Sequence, residues 1–270
     1  MLVLVRASAF VDDVAGLGAH DHVCWPFHDR DDFLTQAAAF LRDGIELGQR
    51  PLYVGRDAAA AADLGDLLDV DVVTTREMYG VGYVADPSVQ VEEYAAATEA
   101  ALAAGFTGLR VAADATDLVR TPEQRDAFIR YEHLVDRRMR SMPFSAMCAY
   151  DVGELGPDAV SELACMHPVS RTGAVPFRLH ASSEAGQHAS IAGEVDGMCD
   201  GLFAAALRRL PVASDGPVVL DASRLEFVDH RALLALGRLS SGVVLRDAPR
   251  LAARQVALFR LDHVTVEPRS

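Results

Sequence analysis

The chain has no lysine and no asparagine among its 270 residues, so all 25 basic side chains are arginine. Without lysine there is no imine-forming amine, no lysine general base and no phosphate-gripping lysine of a P-loop. Cysteine is scarce. The four, at positions 24, 148, 165 and 199, show no CxxC and no dense framework. That pattern suits reduced, buried thiols of a cytosolic protein rather than disulfides. Long apolar runs are missing too. None approaches the roughly 20 residues of a membrane span, and the apolar start Met1 to Phe10 is too short and too lightly flanked for a secretory signal. A cytoplasmic protein without membrane contact is the expectation. Nor is there a surplus of positive charge: the net charge is −14. Residues 1–173 hold 28 acids against 14 Arg, while residues 174–270 hold 11 of each. Neither part is basic enough to neutralise phosphates, which excludes nucleic acid as a partner. The break in charge marks a domain boundary. No G-x-S-x-G and no Ser-His-Asp pattern stands out.

What is present is a well-patterned α/β chain. Half of the residues are hydrophobic, enough for a sizeable core in one or two domains. His22-Val23-Cys24-Trp25-Pro26-Phe27 reads as a buried strand, His28 to Asp32 as a tight polar turn, and Phe33 to Leu47 as a helix. A strand at Pro51–Gly55 follows. This is the layout of a nucleotide cradle, yet the turn holds neither Gly nor Lys. Its three acids, Asp29, Asp31 and Asp32, repel phosphate at the helix N-terminus, and Asp29 or Asp31 is expected as the N-cap. Further along, an Ala-rich helix is predicted over Asp57–Leu68 and a strand over Val70–Thr74. Asp86-Pro87 starts a helix reaching Ala104. A strand covers Gly108–Ala113, a capping box at Thr121–Gln124 opens a long helix ending near Met142, a strand covers Phe144–Tyr150, and a helix covers Pro157–Met166. Alternating strands and helices imply a mostly parallel sheet covered on both faces.

After a linker, Ser170 to Pro176, the style changes. Phe177–Ser183 and Ala189–Val195 read as a hairpin. Then come a helix over Gly197–Leu210, a strand over Val218–Leu220, a helix over Arg231–Leu239, a strand over Val243–Leu245, a helix over Arg250–Phe259 and a strand over His263–Val266. The expected domains are 1–172 and 177–270.

Candidate site residues cluster in the first domain. His22 and Cys24 are two apart on a strand and share a face, as do Cys148 and Tyr150. His167 ends the last helix of the domain. A ligand pocket touching His22, Cys24, Trp25, Phe27, His28, Cys148, Tyr150 and His167 is one expectation, and plain core packing is its competitor. If His22, Cys24, Cys148 and His167 converged, thiolate and imidazole would suit zinc or another transition metal. Core packing weighs more heavily, so no metal is assigned. Asp114, at the end of a strand, is expected in a cap or hydrogen-bond role.

Several spaced motifs of the first domain resemble the MEDS domain, the sensory domain named for methanogen and methylotroph regulators. They are Asp21-His22-Val23-Cys24, Phe40 to Ile45, Gly48-Gln49-Arg50-Pro51-Leu52-Tyr53-Val54, Gly108-Leu109-Arg110-Val111, Tyr131-Glu132, Cys148-Ala149-Tyr150-Asp151 and His167-Pro168. The resemblance implies a RecA/KaiC-like core without the P-loop lysine and a sensory role. The Gly-Glu-Met-Thr/Ser-Trp run that the family often carries is replaced here by Ala113 to Asp117. The second domain resembles a STAS domain, the anti-sigma-factor-antagonist fold, through Gly193-Glu194-Val195-Asp196, Val218 to Ser223 and Phe227-Val228-Asp229. Where partner-switching members carry a phosphorylated Ser or Thr, this chain has His230. The resemblance implies partner binding around Ser223, Asp229, His230 and Arg231.

The expected protein is therefore a cytoplasmic signalling regulator and not an enzyme. It is an α/β chain with a RecA/KaiC-like sensory domain open to bias by an unknown small molecule, followed by a small STAS-like domain. That second domain would dock an anti-sigma factor or kinase-like ATPase, and the chain would be capable of forming a homodimer. No cofactor is certain. The competing expectation is an enzyme with a degenerate nucleotide-hydrolase or metal-dependent hydrolase site.

Overall fold

The computed structural model describes residues 8–56, 64, 70–79, 84, 86–182, 186–210, 216–239 and 242–269. The chain divides into two units, Met1–Ala174 and Val175–Ser270. In the first, the strands are β1 (Ala9–Val11), β2 (His22–Phe27), β3 (Arg50–Gly55), β4 (Asp71–Thr74), β5 (Leu109–Asp114), β6 (Phe144–Asp151) and β7 (Val169–Arg171). The helices are α1 (Arg30–Glu46), α2 (Thr75–Tyr79), α3 (Pro87–Ala103), α4 (Pro122–Met139), α5 (Val152–Leu155) and α6 (Pro157–Ala164). The seven strands form one sheet in the order β1-β7-β2-β6-β5-β3-β4, with every pair parallel.

Strand alternation sorts the core into two layers. On one face of the sheet, Val23, Trp25 and Phe27 of β2 pack with Tyr53, Ala112, Met147 and Ala149 beneath α1. That helix buries Phe33, Ala37, Phe40, Leu41 and Gly44, the i, i+4, i+7, i+8 spacing of an apolar stripe. Each large side chain so buried contributes on the order of 1.5–3 kcal/mol. On the other face, β2 presents His22 and Cys24, and β6 presents Cys148 and Tyr150. The register sets Cys24 beside Cys148 and His22 beside Ala146.

Helix boundaries follow local chemistry. Asp29 caps α1 by accepting from the Asp31 amide, so the helix begins at Arg30, earlier than the sequence pattern suggested. Asp86 caps α3, with Pro87 in its first turn. The Thr121–Gln124 capping box at the start of α4 is complete in both directions. Two corrections apply. Residues 169–171 form β7 rather than a linker, because Val169 and Ser170 are held between β1 and β2. The helix expected over 57–68 lies outside the described residues except at Leu64.

The second unit contains β8 (Phe177–Ala181), β9 (Ala189–Val195), α7 (Asp200–Arg209), β10 (Val218–Val228), α8 (His230–Leu236), β11 (Val243–Ala248), α9 (Arg250–Phe259) and β12 (Val264–Pro268). The sheet order is β12-β11-β10-β9-β8. β8 and β9 pair antiparallel, as a hairpin, and the remaining pairs are parallel. β10 is much longer than the strand expected over 218–220. Its pairing with β9 shifts register between Asp221 and Arg224 and again between Leu225 and Phe227, and such bulges erase a simple period-two pattern.

Candidate functional site

A polar cluster sits in the middle of the first unit, between the sheet and α4. Glu132 and Asp136 are four apart on α4 and therefore share a face. Both are fully buried, and so are His22 and His167. β2 supplies His22, β6 supplies Cys148 and Tyr150, and the turn after α6 supplies His167. One donor atom from each of His22, Glu132, Cys148 and His167 lies within 4.8 Å of the others.

The contacts inside the cluster are short. His22 Nε2 is 2.9 Å from Glu132 Oε2 and 3.5 Å from the Cys148 sulfur. His167 Nε2 is 3.6 Å from the same Glu132 oxygen. The imidazole centroids of His22 and His167 are 4.3 Å apart. Around this centre lies a supporting set. Asp136 Oδ1 is 3.1 Å from His22 Nδ1, the Leu163 carbonyl is 2.9 Å from His167 Nδ1, and the Tyr150 hydroxyl donates to Glu132 Oε1 at 3.0 Å. A carboxylate and a carbonyl only accept, so Nδ1 of each histidine carries the hydrogen. Nε2 of each is then the atom turned toward the centre. His167 Nε2 makes no hydrogen bond, whereas Glu132 Oε2 is met by His22 Nε2 at 2.9 Å. Leaving such a nitrogen unsatisfied in a core costs about 1–3 kcal/mol.

Proton affinities reflect this crowding. Burial alone would lower the His22 pKa, but Glu132 and Asp136 outweigh it and raise the value. Burial alone would raise Glu132, and the His167 and His22 imidazoles reverse that to a lowered value. Burial, reinforced by His22, pushes His167 down to about 4. Burial and the Glu132 carboxylate push the Cys148 thiol well up.

The structure divides the eight residues expected around one pocket. His22, Cys148, Tyr150 and His167 come together. Cys24 is buried next to Cys148 in register, but Glu132 rather than Cys24 completes the group of four. Trp25 and Phe27 point to the opposite face, into the core under α1, because odd and even positions of a strand cannot share a side. Trp25 lies 4.6 Å from the Arg171 guanidinium. His28 is exposed and lines a separate cleft of about 260 Å³ with Pro26, Val160, Arg171 and Ala174. Glu132 and Asp136 were not among the expected site residues. The sequence signal for them is two acids at i, i+4 on a helix face otherwise lined by Phe128, Tyr131, Val135 and Met139.

At the carboxyl ends of the strands, where nucleotide hydrolases bind phosphate, charges are already paired. Asp32 holds Arg171 at 2.7 Å. Asp114 accepts from the Thr116 amide and hydroxyl and faces Arg56 at 3.0 Å, in the hydrogen-bonding role expected of it. In the second unit Asp229 caps α8 by accepting from the Ala232 amide at 2.8 Å. His230 stacks on Phe259 with centroids 5.3 Å apart, and Arg231 reaches Asp200 at 3.3 Å. Ser223 lies on β10, where its carbonyl accepts from Arg269.

Comparison with known families agrees with the first unit's motifs. The family model described as MEDS, "MEthanogen/methylotroph, DcmR Sensory domain", matches residues 21–168. No curated protein matches the chain. No helix among the described residues is long and apolar enough to cross a membrane.

Proposed function

The chain belongs to the MEDS family, and from that premise we propose that it is a cytoplasmic partner-switching regulator. Its first unit acts as the sensor, and its second unit docks a protein partner, an anti-sigma factor or a kinase-like ATPase. The observation that carries the sensory half is the family match over residues 21–168, which spans β2 through the His167 turn and so includes the whole buried polar cluster.

Three features support the docking half. The antiparallel β8–β9 opening followed by parallel strand-helix repeats suits a STAS-like domain. The start of α8 is built around a capping Asp229 with His230 next in line, where partner-switching domains carry their phosphoacceptor. Phe259, stacked on His230, is 45% exposed, and the unit also exposes Met198 at 94% and Leu258 at 76%. A Cβ added at Gly197 would lie 3.5 Å from the Arg231 guanidinium and 3.8 Å from the Asp229 carboxylate, so the residue preceding Met198 sits beside the start of α8. Exposed apolar side chains grouped with a few charges are the usual make-up of a protein-binding patch. With His230 in place of a hydroxyl, Ser or Thr phosphorylation at that position is impossible, so docking is set by the state of the first unit.

The test is a binding measurement with the purified full-length chain against purified anti-sigma factors and kinase-like ATPases from the same cells. Saturable binding that a Phe259→Asp variant loses supports the reading. A folded chain that binds none of them refutes the docking half.

A further inference from the structure

We propose that His22, Glu132, Cys148 and His167 are the four ligands of a single transition-metal ion of the zinc class. This goes beyond the sensory reading and holds whether or not the second unit docks an anti-sigma factor.

The donor set is the first argument. Two imidazoles, a thiol and a carboxylate converge within 4.8 Å, all from buried residues. Calcium and magnesium take oxygen ligands almost exclusively, whereas nitrogen and sulfur donors select zinc, cobalt, iron, nickel or copper. A tetrahedral zinc with bonds of about 2.0–2.3 Å places its ligand atoms about 3.3–3.8 Å apart. The His22–Cys148 and Glu132–His167 separations, 3.5 and 3.6 Å, fit that edge length, and the His22–Glu132 pair, at 2.9 Å, opens slightly to reach it.

The second argument is the orientation of the ligands. In metal centres a ligating histidine gives its other ring N–H to a carboxylate or a backbone carbonyl. Here His22 gives Nδ1–H to Asp136 and His167 gives it to the Leu163 carbonyl. Tyr150 ties down Oε1 of Glu132, so that Oε2 alone faces the centre. Three of the four ligands are therefore aimed by an outer partner.

The third argument is what the protein leaves unfinished. His167 Nε2 is buried without a hydrogen bond and faces Glu132 Oε2 across 3.6 Å in the same centre. One cation satisfies that nitrogen and takes over the Glu132 oxygen from His22. Binding would release the Cys148 thiol proton, and any proton on His22 Nε2, to solvent. Four protein donors fill a tetrahedron and leave no open position, so the ion belongs to the closed, structural or sensing type rather than the catalytic type.

The experiment uses the untagged full-length chain, grown with added zinc and measured for metal by mass spectrometry. A parallel sample is stripped and titrated with cobalt(II). About one zinc per chain is expected. The cobalt form should show tetrahedral ligand-field absorption together with a thiolate-to-cobalt charge-transfer band. Cys148→Ser should lose the charge-transfer band, His167→Ala should bind at least tenfold more weakly, and Asp136→Asn about 10–100-fold more weakly. Cys24→Ser should keep both occupancy and spectrum. Should the ligand variants fail to fold, the wild-type cobalt spectrum and the Cys24→Ser comparison decide alone. Wild-type protein that is folded yet takes up neither zinc nor cobalt tightly would overturn the proposal. So would a charge-transfer band that survives Cys148→Ser or disappears with Cys24→Ser.

Discussion

At the scale of single residues, Gly44 and Arg110 are fitted to each other. Arg110 is completely buried in β5, its guanidinium 3.9 Å over the Phe40 ring. It donates to the Phe40 and Leu17 carbonyls and to Gln49. Burial lowers its pKa to about 10, which still leaves it charged at neutral pH. This works because α1 carries no side chain at Gly44, where a Cβ would fall on the Arg110 side chain. Gly44→Ala should therefore cost about 1–3 kcal/mol in urea-induced unfolding. Gly201, in α7 with nothing near its missing Cβ, is the control: Gly201→Ala should be neutral or stabilising by up to about 1 kcal/mol. Equal effects of the two substitutions would contradict the close fit. The same scale shows how far the sequence discloses the polar cluster. His22, Cys148 and His167 are rare polar residues in apolar strands or at a helix end, so they stand out. Glu132 does not, because a carboxylate on a helix reads as solvent-facing until its helix is placed against the sheet.

At the scale of elements, the carboxyl ends of the strands in the first unit are held by charge. Glu154 of α5 is paired with both Arg56 and Arg120, and Arg56 also faces Asp114 and Asp117. The Arg56 hydrogen bond, helped by Arg120, holds the Glu154 pKa below its usual range. A carboxyl whose pKa falls on folding adds stability above its unfolded value and loses it as pH drops through the folded value. Glu154→Gln should thus lower the melting temperature at pH 6–7. The gap should close as pH falls below about 4. The carboxylate is about one-third exposed, so the effect should stay below about 1 kcal/mol. A gap that widens in acid would reverse the assignment. Thr121→Ala, which breaks the α4 capping box, should cost about 1 kcal/mol. Most elements are legible in the sequence because caps and periodicity are local: the α4 box and the β8–β9 hairpin are examples. β1 and β7, three residues each, are too short to show a period; β7 is held by the edge of β2 and β1 by the edge of β7. The second half of β10, Ala222 to Val228, is hidden by its register shifts.

At the scale of the whole chain, an acidic sensory unit is followed by a charge-balanced unit that exposes several large apolar side chains, Phe259 among them beside His230. In the proposed function, the state of the buried cluster sets how well that second unit binds its partner. Two sites coupled in this way typically alter each other's affinity by about 5–150-fold. The most direct measurement is the dissociation constant of the full-length chain for the proposed anti-sigma or kinase-like partner, compared between wild type and His22→Ala. Both proteins must be shown to be folded by circular dichroism. The expected result is an affinity change of at least about fivefold, although His22 lies in the first unit and the docking residues in the second. Identical affinities would contradict the sensor role of the first unit.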